Sequence, residues 1–234
     1  MIDQLIIGDK ASYDDFSASM ASRKIGNPKK KSITATVPYS NVTYDFSKIN
    51  GELYWEQRPL EYVFEIIAST PEKLEELKTD FSAWVMNVLN EEIHDPFIPE
   101  YHFVGTFEDI SFDDEETLDK TTVTVKFKAY PYKIANLPTV IEGISKVGRF
   151  NPTNISIALG NRSSHRVLAT VLIKQASGKV NRVTLDVDGK IEEISVGTQT
   201  NVYITEGVQT IGLSIEGEAL PTVSYTISFR EEVF

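Results

Sequence analysis

The chain has 234 residues, of which 41% are hydrophobic, 10% aromatic and 24% charged, an ordinary globular balance. It has no cysteine, which excludes disulfide scaffolds, thiolate metal sites and thiol catalysis, and only three histidines (His94, His102, His165). The net charge of −11 is uneven: residues 1–140 carry 14 basic against 24 acidic side chains, residues 141–234 carry 9 against 10. So acidic a surface repels phosphate, and stable nucleic-acid binding is not expected.

No run of 18 apolar residues occurs, so no membrane span is expected. The start, Met1-Ile-Asp-Gln-Leu-Ile-Ile-Gly-Asp9, lacks the basic and long apolar parts of a signal peptide, and synthesis in the cytoplasm is expected. In that compartment the sequons at Asn41, Asn154 and Asn161 read as chance matches.

Along the chain, Ser17 to Ser32 reads as a long loop, with Gly26-Asn27-Pro28, the Lys29-Lys30-Lys31 run and little periodicity. Period-two alternation then puts Ile33, Ala35 and Val37 on one strand face. The same spacing groups Leu60, Tyr62, Phe64 and Ile66, with Glu61 and Glu65 on the opposite side. From Thr70 to about Leu89 the period changes to 3.6: Leu74, Leu77, Phe81, Trp84, Val85 and Val88 form the apolar stripe of a helix. Thr70 suits the N-cap and Pro71 the first helical position, and Glu72, Glu75 and Glu76 complement the positive end of the helix dipole.

Phe112 to Lys120, with Asp113-Asp114-Glu115-Glu116, reads as a hairpin tip leading into a strand with Val123, Val125, Phe127 and Ala129 on its apolar face. Pro131 and Pro138 interrupt pairing, which places a domain boundary at about 138. Beyond it, seven or eight short strands are expected, among them Ile155–Leu159, Val167–Lys174, Val180–Val187, Lys190–Val196, Asn201–Thr205, Gln209–Ile215 and Ser224–Phe229. Asp188-Gly189 is a two-residue hairpin signal, because both positions tolerate positive φ. The expected class is mainly β: a β-rich α+β domain with one helix over residues 1–138, then an antiparallel β-sandwich over 139–234.

Motifs for chemistry are scarce. There is no phosphate-binding glycine loop, nucleophile elbow or His-Glu-x-x-His. Asp186-Val-Asp188-Gly189 opens like a calcium loop, but Lys190 and Gly197 stand where that loop needs oxygen ligands. His94, Asp95, Glu100 and His102 could ligate zinc, against the simpler reading of a surface loop after the helix. Glu108, Asp109, Asp113 and Asp114 could pair as glycosidase carboxylates, against an acidic hairpin surface. The second domain lacks tryptophan, the usual sugar platform, since Trp55 and Trp84 both lie in the first. No catalytic, cofactor or metal residue is assigned, and no enzyme activity is expected. Trp55 and Arg58 are interface suspects that core packing explains equally well.

Two stretches carry a resemblance. Tyr44-Asp-Phe-Ser-Lys-Ile-Asn-Gly-Glu-Leu-Tyr-Trp-Glu-Gln-Arg-Pro-Leu-Glu-Tyr-Val-Phe-Glu-Ile-Ile67 resembles the strand pair ahead of the helix in distal tail proteins (Dit) of long, non-contractile-tailed phages and prophages. Thr122-Val-Thr-Val-Lys-Phe-Lys-Ala-Tyr-Pro-Tyr-Lys133 is similar to the strand closing that family's first domain. The resemblance implies a virion structural protein at the distal end of the tail, a homohexameric ring with a central channel for DNA.

Its implied partners are the tail tube protein, a tail-tip or tail-associated lysin-type protein, and a receptor-binding or baseplate protein. It also implies a galectin-like second domain and an arm that embraces the neighbouring subunit, for which Ser17 to Ser32 is the candidate. The alternative is a carbohydrate-binding or adhesion module using the C-terminal sandwich.

Overall fold

The computed structural model describes residues 3–36, 38–39, 41–48, 53–114, 119–147 and 152–234. Two compact units divide the chain, Met1–Lys133 with Phe234 and Ile134–Val233, a few residues ahead of the boundary expected from Pro138.

In chain order the first unit runs β1 (Ile6–Ile7), β2 (Lys10–Ala11), α1 (Ser12–Phe16), β3 (Ala18–Ile25), β4 (Thr34–Thr36), β5 (Thr43–Asp45), β6 (Arg58–Ile67), α2 (Pro71–Met86), β7 (Glu91–His94), β8 (Tyr101–Asp114) and β9 (Lys120–Ala129). Seven of these strands form an antiparallel path in the order β2-β1-β7-β8-β9-β6-β3. At its centre β6 and β9 pair Leu60 with Phe127, Tyr62 with Val125 and Phe64 with Val123, so the two alternating faces coincide and are fully buried. The opposite face sets Glu61 against Lys126 and Glu65 against Thr122, which leaves it charged and half-buried.

Helix α2 covers the apolar face. The Thr70 hydroxyl accepts a hydrogen bond from the Lys73 N–H at 3.2 Å, and Pro71 follows as anticipated. Leu74, Phe81 and Val85 point inward; Leu77 and Trp84 pack at the margin, and Val88 is buried just past the last turn. Phe81 stands edge-on to Phe64 at 5.4 Å and to Trp84 at 5.5 Å. A second helix was not expected: α1 has five residues, too few for a period, and places Phe16 flat on Trp84 at 4.8 Å. Ser12 ties it down, its N–H donating to the Leu5 carbonyl and its hydroxyl accepting from the Leu5 N–H.

Two expectations are corrected here. The stretch read as a loop over Ser17 to Ser32 contains β3, an eight-residue strand paired along β6. Its alternation is hidden because a bulge between Met20 and Ser22 switches the faces partway along an edge strand. Ile33 and Ala35, read as one buried face, are instead exposed, because among the described residues β4 pairs only with β5 and no layer covers that small sheet. Val37, the third residue of that face, lies outside the described residues, as do 115–118 at the tip of the β8–β9 hairpin.

The second unit contains β11 (Thr139–Lys146), β12 (Thr153–Asn161), β13 (Val167–Val187), β14 (Lys190–Glu193), β15 (Gln199–Ile204) and β16 (Gly207–Phe229), with short β10 (Lys133–Ala135) and β17 (Glu232–Val233) paired to each other. Val167–Lys174 with Val180–Val187, and Gln209–Ile215 with Ser224–Phe229, were expected as four strands and are two: β13 and β16, of 21 and 23 residues. Each serves two layers. The first half of β13 pairs β15 and the second half of β16, which also carries β11. The second half of β13 pairs β14 and the first half of β16, which also carries β12.

Both layers bury side chains in one core, Val171, Ile173 and Ile227 from one and Leu185, Ile211 and Leu213 from the other. The bend falls where β13 is irregular between Gln175 and Arg182. There Gly178 (φ +71°) lies so close to Pro221 that a Cβ would approach its Cα to 2.6 Å. Asp188 (φ +54°) and Gly189 (φ +80°) make the expected two-residue turn between β13 and β14.

Phe81→Ala is expected to cost about 3–5 kcal/mol in urea unfolding, since it empties the junction of α2 with the sheet. Gly178→Ala is expected to lower the melting temperature of the second unit through both the positive φ and the Pro221 clash. Gly189→Ala, strained in φ but with nothing within 4 Å of its Cβ, is the milder control.

Candidate functional site

The most exposed apolar segment of the first unit is the excursion between β3 and β6. Its base is a short ribbon: the Lys31 N–H donates to the Tyr54 carbonyl, and the Glu56 N–H to that of Lys29, at 2.8 Å each. The Lys29-Lys30-Lys31 run is therefore one leg of a β-structure, with Lys30 bridged to Trp55 and its Nζ 3.6 Å from Asp45. Beyond the base, β4 and β5 pair Ala35 with Tyr44, and the Phe46 N–H donates to the Ile33 carbonyl.

Ile33, Tyr39, Val42, Tyr44, Phe46, Leu53 and Tyr54 are all exposed, and the Tyr44 and Phe46 rings lie 6.4 Å apart. A two-stranded hairpin has no core of its own, and seven exposed apolar side chains over this excursion are unusual for a free surface. Asp45 sits on the exposed side of this ribbon. Hydrogen bonds from Ser47, with Lys30 nearby, hold its carboxyl below the usual range.

The two interface suspects separate. Trp55 is half-buried and meets the ring of Phe234 edge-on at 4.9 Å. Arg58 is interior: it is 2% exposed, with its guanidinium 5.5 Å from the Phe103 ring, and burial lowers its pKa. A second buried charge, Asp95, accepts from Arg23 at 2.5 Å and from the Tyr62 hydroxyl at 3.3 Å. Burial first, and the Asp95 charge second, push the Tyr62 hydroxyl well above its ordinary 10.0.

That arrangement takes Asp95 away from the histidines with which it was grouped. The β7–β8 register brings His94 and His102 to 5.2 Å, with Glu92 3.3 Å from one and 3.7 Å from the other. Among the described residues no group of three or more His, Asp or Glu is placed to hold a metal ion.

Three of the four acidic residues of β8 are ion-paired across the surface: Glu108 with Lys128 at 2.8 Å, Asp109 with Lys126 at 3.3 Å, and Asp114 with Lys78 at 3.0 Å. Thr121 and then Lys78 lower the pKa of Asp114, the opposite of what a proton donor requires. Asp186, first residue of the calcium-like motif, accepts from the Gly189 N–H at 2.9 Å and so caps the hairpin turn.

No family model matches the chain, and no curated protein matches it. Among solved structures it is similar to the SPP1 Dit (gp 19.1) protein, described as a paradigm of the hub adsorption apparatus in phages infecting Gram-positive bacteria. The TM-score is 0.68 at 11% identity, with 100% of each chain covered. The chain has a Dit-like fold. The excursion around β4 and β5 is thus part of a Dit-like first unit.

The aromatic residues of this excursion were missed as a surface because alternation at Ile33 and Ala35 looks the same in a covered strand and a bare ribbon. The available signal was the shortness of the run before Tyr39.

Tyr62→Phe tests the buried network through pH. The folded state holds the Tyr62 proton more tightly than the unfolded chain, so this contribution is complete below pH 10 and is lost as pH rises above that value. At neutral pH the variant is expected to be less stable by about 0.5–1.5 kcal/mol, the worth of one hydrogen bond. Denaturant titrations from neutral to strongly alkaline pH are expected to show that gap narrowing.

Proposed function

We propose that this chain is a non-enzymatic tail hub: a hexameric ring at the distal end of a phage or prophage tail. In this reading it joins the tail tube to the tail-tip, lysin-type and receptor-binding or baseplate proteins. The observation that carries the reading is the full-length likeness to the SPP1 Dit fold. The exposed β4–β5 ribbon supports it, because a ring supplies the neighbouring surface that an isolated subunit lacks. The arm role suggested for Ser17 to Ser32 passes to this ribbon, since β3 is committed to the sheet.

The charge division fits a channel that conducts DNA without binding it. The first 140 residues hold a surplus of ten acidic groups, and acidic side chains on the lumen repel phosphate. A lumen lined by Lys and Arg would overturn that part of the proposal. The virion setting and the partners follow from the hub role and stand or fall with it.

Negative-stain electron microscopy with light scattering is expected to show six-fold rings of about six times the 26.3 kDa chain mass, alone or with tail tube protein added. Chains that stay monomeric under both conditions overturn the reading. Tyr44→Ala combined with Phe46→Ala is expected to abolish the rings while changing monomer stability by only about 0.5 kcal/mol, as for exposed positions. Intact rings from that variant would remove the ribbon from the interface.

A further inference from the structure

A groove of about 810 Å³ opens in the first unit between the β1–β2 turn, α1, the second half of α2 and the start of β7. Its floor is apolar: Phe16 and Trp84 lie stacked at 4.8 Å, with buried Ile7 and Val88 beside them. Its walls are acidic. Asp9, Asp15, Asp80 and Glu91 line it, all exposed, against one cation, Lys10.

Among the described residues none of these four carboxylates is in an ion pair, so four negative charges and one positive leave the groove at a net −3. The Lys10 ammonium stands 5.5 Å from the Phe16 ring, which shows that the aromatic floor accepts a cation.

The complementary surface is carried by the same chain. Lys29, Lys30 and Lys31 are exposed along one leg of the ribbon at the base of the β3–β6 excursion. Period-two geometry sets Lys29 and Lys31 on one side of that leg and Lys30 on the other, where its Nζ is 3.6 Å from Asp45. Neither Lys29 nor Lys31 has an ion-pair partner among the described residues. A lysine lays an apolar stem on hydrophobic surface and keeps its ammonium at the polar margin, which is the pattern of this groove.

The sheet holds the two surfaces apart within one chain. In the order β2-β1-β7-β8-β9-β6-β3, the groove takes its strands from one edge, and the excursion leaves between the two strands at the other. Strands β8 and β9 lie between them, at about 4.8 Å a step. Donor and receiver on opposite edges make a head-to-tail contact, the kind that closes a ring instead of a two-fold dimer.

We infer that the groove receives the Lys29–Lys31 leg of a second copy of this chain. This docking rests on the ring reading above and deepens it by naming the receiving surface. The neighbour's Lys29 and Lys31 lay their stems over Trp84 and set their ammonium groups among Asp9, Asp15, Asp80 and Glu91.

Two double variants at exposed positions test it: Lys29→Glu with Lys31→Glu, and Asp80→Lys with Glu91→Lys. Where the unaltered chain forms rings, with tail tube protein added if rings need it, each variant alone is expected to lose them. Like charges then face each other across the contact. Mixed in equal amounts, the two are expected to recover rings, because every contact of an alternating ring again pairs lysines with carboxylates. Light scattering reads the loss and the recovery, and unchanged melting temperatures confirm that both variants are folded.

Rings that persist in both variants overturn this docking and leave the ring reading intact. So does loss in both without recovery on mixing, which means that the two surfaces do not meet each other. Loss in only one of the two also overturns it; if that one is the groove variant, the groove receives a segment of another tail protein. An unaltered chain that forms no ring under either condition sinks the ring reading and this docking with it.

Discussion

A strand whose side chains alternate between apolar and polar has one face that water must not reach. In this chain the two units meet that constraint differently. In the first, the faces of β6 and β9 coincide through the pairing of Leu60, Tyr62 and Phe64 with Phe127, Val125 and Val123, and one helix covers them. Among the described residues of the second there is no helix, and β13 and β16 bend so that each faces its own other half across a single core. The covering helix makes Phe81 and Trp84 central to the first unit, and the bend makes Gly178 and Pro221 central to the second.

This contrast explains what could be read before the structure was known. The helix was legible because Thr70, Pro71 and the stripe from Leu74 to Val88 all agree, and a 3.6-residue period over four turns is hard to imitate. The β6 and β9 faces were legible because both strands sit centrally and keep strict alternation. Strand β3 was not, since one bulge at an edge cancels the period over eight residues. The long strands β13 and β16 were cut in two for a related reason: from Lys174 to Arg182 nearly every residue is exposed, which in sequence looks like a loop and in space is the outside of a bend.

The candidate surfaces were less legible than the fold, because exposure is a property of what fails to cover a residue. Tyr44 and Phe46 carry ordinary strand propensity, and nothing local distinguishes them from Tyr62 and Phe64, which are fully buried. Arg58 shows the converse. A charged residue at the head of a strand reads as surface, yet it is 2% exposed against the Phe103 ring. In the second unit Gly212 has Ser156 and Asp186 as its cross-strand neighbours, a juxtaposition across 30 positions of sequence.

The same geometry fixes what the exposed excursion of the first unit can do. The β4–β5 ribbon offers aromatic area with little hydrogen-bonding specificity, which suits a large apolar partner surface. The ribbon has no layer of its own with which to cover the seven apolar side chains exposed over the excursion.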